Sequence, residues 1–186
     1  MPAPPDVTES EIIKATRHWV EHSVIGLNLC PFARAPFVRD RVRLEVSHAS
    51  DENALLDELA DSLKHLLASD IQTCETTLLI HPWVLNDFFE FNLFLRRADG
   101  LIRQMGLEGD IQLASFHPDY QFADAELDAV ENCSNRSPYP ILHLLRESSI
   151  SKAADALADP DEIYRRNIET LRALGMSGWQ ALQKPD

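Results

Sequence analysis

The chain has 186 residues, 45% hydrophobic and 25% charged, the usage of a globular chain long enough to bury a core without disulfide or metal staples. Its 30 acidic against 17 basic residues give a formal net charge of -13, which repels a phosphate backbone and argues against nucleic acid as a partner. No apolar run approaches the ~20 residues that span a bilayer, and the opening MPAPPDVTES lacks the charged-then-apolar order of a signal peptide, so no membrane partner and a cytoplasmic setting are expected.

One domain over 1–186 is expected, with the Pro-rich residues 1–7 as a flexible lead. Thr8 and Glu11 spell a capping box, and Ile12, Ile13, Thr16, Trp19, Val20 and Leu27 recur at helical spacing, which predicts a first helix. A first strand follows at 41–48. Ser50 is the expected cap of a second helix striped by Leu55, Leu56, Leu59, Leu63, Leu66 and Leu67. The second strand covers 76–81, and a third helix runs from 84 to Met105, burying Phe88, Phe91, Leu95, Ala98, Ile102 and Met105 before Gly106 stops it. Asn92 lies beside that stripe, where a buried amide needs partners. A third strand covers 111–116. Beyond it, PDYQFADAELDAVENCSNRSPYP has no sustained period and reads as a long functional loop, while PILHLLRE fits a fourth strand or the start of a helix equally. Ser149 caps a helix through Leu157, and Pro160 opens another with Ile163, Tyr164, Asn167, Leu171 and Leu174 facing inward.

This βαβαβ order predicts an α/β fold with a small, mostly parallel three- or four-stranded sheet covered by helices, a two-layer α+β arrangement being the alternative. Each predicted strand stops on a histidine: His48, His81 and His117. Parallel strands would bring all three imidazoles to the carboxyl edge of the sheet, where open α/β sheets bind their ligands.

The phrases VIGLNLCPFA at 24–33, TTLLIHP at 76–82, DFFEFNLFL at 87–95, ASFHPDYQFA at 114–123 and NRSPYPILHLLRE at 135–147 resemble those of a bacterial family known as an uncharacterised conserved domain. The likeness covers most of the chain. It implies one intact domain of that family and brings no activity, cofactor or catalytic residue with it.

His81 and His117 are the candidate acid–base groups, with Asp119 or Asp87 as an orienting carboxylate. Three imidazoles with one open position also make a catalytic zinc arrangement, so His81, His117 and His143 are candidate ligands of a divalent metal such as zinc. Against this, no HExxH-like spacing is present, and a strand-end histidine followed by Pro can simply be a hydrogen-bonded residue where the ladder stops. Asn135, Arg136 and Ser137 gather amide, guanidinium and hydroxyl donors in a Pro-bounded loop, with Tyr139, His143 and a second fork at Arg146 close behind. They form the expected clamp for an anionic group on the substrate, unless the arginines pair with Asp119 or Glu147. Cys30, in NLCPFAR, resembles the turn of thioredoxin-like proteins, but Ala33 takes the resolving position; it is either a nucleophile or a small buried residue. The odd, wide spacing of Cys30, Cys74 and Cys133 predicts reduced thiols without a bridge.

These residues predict a protein that binds, and acts on, a small anionic molecule in a His/Arg-lined pocket. Two alternatives stand beside it, a protein-interaction or scaffold domain and a thiol-dependent activity at Cys30.

Overall fold

A computed structural model describes residues 7–154 and 160–184. Most of the expected lead at 1–7, and the end of the helix expected to reach Leu157, lie outside the described residues. Helix α1, Glu9–Trp19, opens on the predicted capping box: the Glu11 amide donates to Thr8 Oγ1 at 3.3 Å, and Glu11 Oε2 accepts from the Thr8 amide at 2.8 Å. Its bonding then widens into a π-helical turn, Val20–Ile25. A side chain at Gly26 would collide with the His22 carbonyl, and Asn28, at φ 53, ends the turn in the left-handed region that Asn tolerates. A short helix α2, Arg34–Val38, leads to strand β1, Val42–Val46.

Helix α3, Glu52–Ala68, is capped by Asp51 and not by Ser50: Asp51 Oδ1 accepts from the amides of Asn53 and Ala54 at 2.9 and 3.0 Å. Strand β2, Thr76–Ile80, is buried along its whole length, as expected of a central strand. Helix α4, Phe88–Gln104, buries Phe91, Phe94, Ala98 and Ile102. Phe91, Ala98 and Ile102 are buried as expected and Phe94 joins them, while Phe88, Leu95 and Met105 pack half-buried against the same core and Asn92 is exposed on the solvent side. Strand β3, Ile111–Phe116, is followed by the long connection, which carries a 3-10 turn at Val130–Asn135. PILHLLRE resolves as strand β4, Ile141–Arg146, then α5, Glu147–Ala154, and α6, Pro160–Leu182, which bends at Gly175. In α6, Leu171 is buried, while Tyr164 is exposed instead of inward.

The strand order is β1-β2-β4-β3, and this corrects the expectation of a mostly parallel sheet. β1 and β2 pair parallel, but β4 lies antiparallel between β2 and β3. The physical reason is the return of the chain. The connection after β3 ends at the same sheet edge where it began, so a strand entering there must run against its neighbours. The apolar ILHLL run also suits a central place, leaving the more polar β1 and β3 at the edges.

Alternation sends Leu79, Leu142 and Leu144 to one face, against α3 and α4, and Leu78, Ile80 and Ile141 to the other, against α1, the π-helical turn and α6. Helices therefore cover both faces of a mixed sheet, an α/β arrangement and not the two-layer alternative.

Candidate functional site

β2 and β3 point the same way, so His81 and His117 do share one edge of the sheet, on either side of the entry to β4. The His81 amide donates to Pro140 O at 3.0 Å, and the His117 amide donates to Asn135 O at 3.2 Å. Both rings point to the α3/α4 face, where His81 and His117 lie 5.5 and 5.2 Å from the Phe91 ring. Both are fully buried. His81 Nδ1 donates to Val84 O at 3.0 Å, which leaves Nε2 as a bare acceptor, sealed without a partner. His117 Nε2 donates to Leu85 O at 3.2 Å, while its Nδ1 accepts the Asp119 amide at 3.0 Å. A carbonyl only accepts and an amide only donates, so each ring is fixed in one neutral tautomer. Burial pushes the His81 pKa down to about 4, aided by the neighbouring His117, and burial likewise lowers that of His117.

This edge is a packed joint and not an open acid–base centre. Asp119 serves it through its backbone amide, with its carboxylate side exposed. Asp87 caps α4, its Oδ1 accepting the Glu90 amide at 3.0 Å. His48 is exposed, stacked on Trp83 at 5.5 Å. His143 lies on the opposite face of the sheet from His81 and His117, so the three do not converge, and among the described residues no group of three His, Cys, Asp or Glu is placed to hold a metal ion.

The segment from Asn135 to Tyr139 folds back over the edge as its turn chemistry suggests, but its polar groups are spent on the loop itself. Arg136 donates from Nε to Tyr120 O at 3.1 Å and from Nη2 to Leu127 O at 2.7 Å, and pairs with neither Asp119 nor Glu147. Ser137 Oγ donates to Tyr139 O at 2.6 Å, and Asn135 Oδ1 accepts from Ser134 Oγ at 3.0 Å. Buried Asn132, which sequence reading passed over, organises the rest: Oδ1 accepts the Phe122 amide at 3.0 Å and Nδ2 donates to Glu126 O at 2.8 Å. Arg136 also borders a groove of about 620 Å³ with Lys14 and Glu11 of α1, a rim of both signs.

A second cavity, of about 440 Å³, lies on the other sheet face, under the Cys30–Pro36 segment. Leu78, Ala114 and Phe116 form its floor, and Trp19, Val20 and Val24 part of its wall, so the lining is mainly apolar, as small-molecule sites are. His143, Ser149 and Cys30 border it too, as does Arg146, whose side chain, paired with Ile111, turns to the α3/α4 face. Thr76 Oγ1 donates its single proton to Leu144 O at 2.6 Å, so at 2.8 Å it must accept from His143 Nε2. Burial pushes the His143 pKa down to about 4, keeping the ring neutral near pH 7. Arg146 caps the carboxyl end of α3, donating from Nη2 to Ser69 O at 2.8 Å and to Leu66 O. Its Nε and the Ser149 hydroxyl are sealed polar atoms without a partner. Cys30 has no disulfide, and burial pushes its thiol pKa up.

The family model described as Protein of unknown function (DUF1415) matches residues 11–181. The chain belongs to the DUF1415 family. No curated protein and no solved structure matches it. The matched span of this DUF1415 chain holds both the histidine edge and the cavity residues from Trp19 to Ser149.

Sequence reading placed Arg146 and His143 among the site residues but grouped them with the wrong partners, and it read Ser149 only as a cap and Thr76 only as strand. The available signal was alternation. Thr76 and Leu78 of β2 share a face with His143 and Leu145 of β4 once the two strands are paired antiparallel.

Proposed function

We propose that the protein binds a small anionic molecule with a largely apolar body, seated in the sheet-face cavity. One observation carries this reading: a cavity of about 440 Å³ is lined mainly by apolar side chains and bordered by a few polar ones, His143 and Ser149 among them, the pattern of a small-molecule site. Glu75, which also borders the cavity, faces Arg41 at 3.8 Å. Of the predicted histidines, His143 is the acid–base group we assign to a transformation of the bound molecule.

The thiol alternative is less favoured, because burial holds Cys30 protonated at neutral pH. For a protein-interaction role, Phe89 and Leu93 are exposed one turn apart on α4, but two side chains fall short of an interface core. Among the described residues no helix is long and apolar enough to cross a membrane. We read the setting as a bacterial cytoplasm, a view that the three free cysteines support, with nucleic acid disfavoured as a partner by net charge.

Calorimetric titration with decanoate and with decanol tests the reading. Decanoate should bind saturably and at least about tenfold more tightly than the alcohol, the worth of one charge-assisted hydrogen bond. Ala114→Trp, which fills the cavity, should abolish both. Equal affinity for acid and alcohol, or binding unchanged by Ala114→Trp, would overturn it.

A further inference from the structure

The two edges of the sheet are finished differently. On β3, Asp110 O takes the Glu147 amide at 2.9 Å, so by alternation the backbone groups of Ile111, Leu113 and Ser115 face away from β4. The chain closes that edge itself at both ends: the Ile111 amide donates to Leu107 O at 3.1 Å, the His117 amide to Asn135 O at 3.2 Å, and Ser115 O accepts from Asn135 Nδ2 at 3.5 Å. On β1, the Ser47 amide donates to Ile80 O at 2.7 Å, so the odd-numbered residues bond β2 and the N–H and C=O groups of Val42, Leu44 and Val46 point outward. No described residue bonds any of these outward groups. The β1 edge is an open template for another strand.

We infer that β1 pairs antiparallel with β1 of a second copy of this chain, across a two-fold axis at Leu44, joining two four-stranded sheets into one. The sequence VRLEV is its own antiparallel complement. The Leu44 groups of the two copies bond each other, and Val42 bonds Val46 of the second copy, which uses every open group on the edge. Between them Arg43 stands opposite Glu45 of the second copy, and Glu45 opposite its Arg43, at the positions where cross-strand side chains come closest. Both side chains are within reach, 33% and 25% exposed, and Arg43 already meets Glu45 of its own strand at 3.3 Å, so the four charges alternate in one cluster. On the other face only apolar Val42, Leu44 and Val46 meet. The charges also fix the register: sliding the pair by one hydrogen-bonded step sets Arg43 against Arg43 in one direction and Glu45 against Glu45 in the other. Any extended strand would satisfy the hydrogen bonds, but the order of charges selects a second copy.

Sedimentation of the full chain in physiological salt tests this, with circular dichroism confirming that each variant is folded. Wild type should reach twice the 21.0 kDa of one chain as its concentration rises toward millimolar. Arg43→Glu and Glu45→Arg each set like charges opposite one another and should weaken dimerisation at least about tenfold. An equimolar mixture of the two variants should dimerise again, because each strand then carries the charge that the other lacks. The double exchange Arg43→Glu/Glu45→Arg restores the complement within one chain and should dimerise too; it decides the matter if a single variant fails to fold. Hydrogen exchange locates the contact: the amides of Val42, Leu44 and Val46 should slow as concentration rises, while that of Leu113 on the other edge stays unchanged. A wild type that remains monomeric, a dimer that folded single variants leave intact, a mixture or double exchange that fails to dimerise, or a dimer without protection at Leu44 overturns the inference.

Discussion

His81 and His117 clasp a single aromatic ring, that of Phe91, from two strand ends, with centroid separations of 5.5 and 5.2 Å. The contact joins β2 and β3 to α4 at the edge of the sheet. Two neutral imidazoles there bond the carbonyls of Val84 and Leu85 in the turn that enters α4. The histidine edge thereby fixes the position of a helix.

Protonation should loosen this joint. The His81 pKa is depressed in the folded protein, from about 6.5 to about 4, so its contribution is intact above 6.5 and is lost as pH falls toward 4, where the unfolded chain takes up a proton that the folded chain refuses. The loss attributable to His81 should reach roughly 3 kcal/mol. Urea unfolding at pH 7.5 and 4.5 measures it. His81→Leu should lose less stability across that interval than wild type, and parallel pH profiles for the two would refute the assignment.

Arg146→Met should destabilise the fold by about 2–3 kcal/mol, because it removes charge-assisted bonds to the last carbonyls of α3. Hydrogen exchange should show the loss concentrated at the carboxyl end of α3. Uniform loss, or none, would place the stabilising role elsewhere.

Asn132→Ala should cost about 2 kcal/mol and expose the 117–130 connection to proteolysis, since its side chain satisfies the Phe122 amide and the Glu126 carbonyl from a fully buried position. Limited digestion should then cut within that connection while leaving β2 and β4 intact.

Alkylation of Cys30 should be slow at pH 7 and accelerate only above about pH 9, because burial raises its thiol. Cys30→Ser should keep the fold, as no bridge is lost. Rapid labelling at pH 6 would restore the nucleophile reading.

Much of the architecture was legible because periodicity is a local property. The capping box at Thr8, the stripe from Leu55 to Leu66 and the strand at 111–116 each follow from neighbouring residues alone. The place of β4 was not, since ILHLL carries no mark of direction or partner, and those depend on where the chain re-enters the sheet. That one insertion also rearranged the site. It turned His143 to the face opposite His81 and His117 and joined it with Thr76 from β2. The arginines were correctly seen as rich in donors, but backbone carbonyls left by the end of α3 and by the long connection, invisible in side-chain patterning, took most of those donors.

The most direct test follows the ring nitrogens of His143, which lines the cavity, by nitrogen NMR while decanoate is added, with His81 on the opposite sheet face as internal comparison. The account predicts a saturable shift at His143 with His81 unmoved. A shift confined to His81, or no shift at either while decanoate binds, would contradict a binding site in the sheet-face cavity.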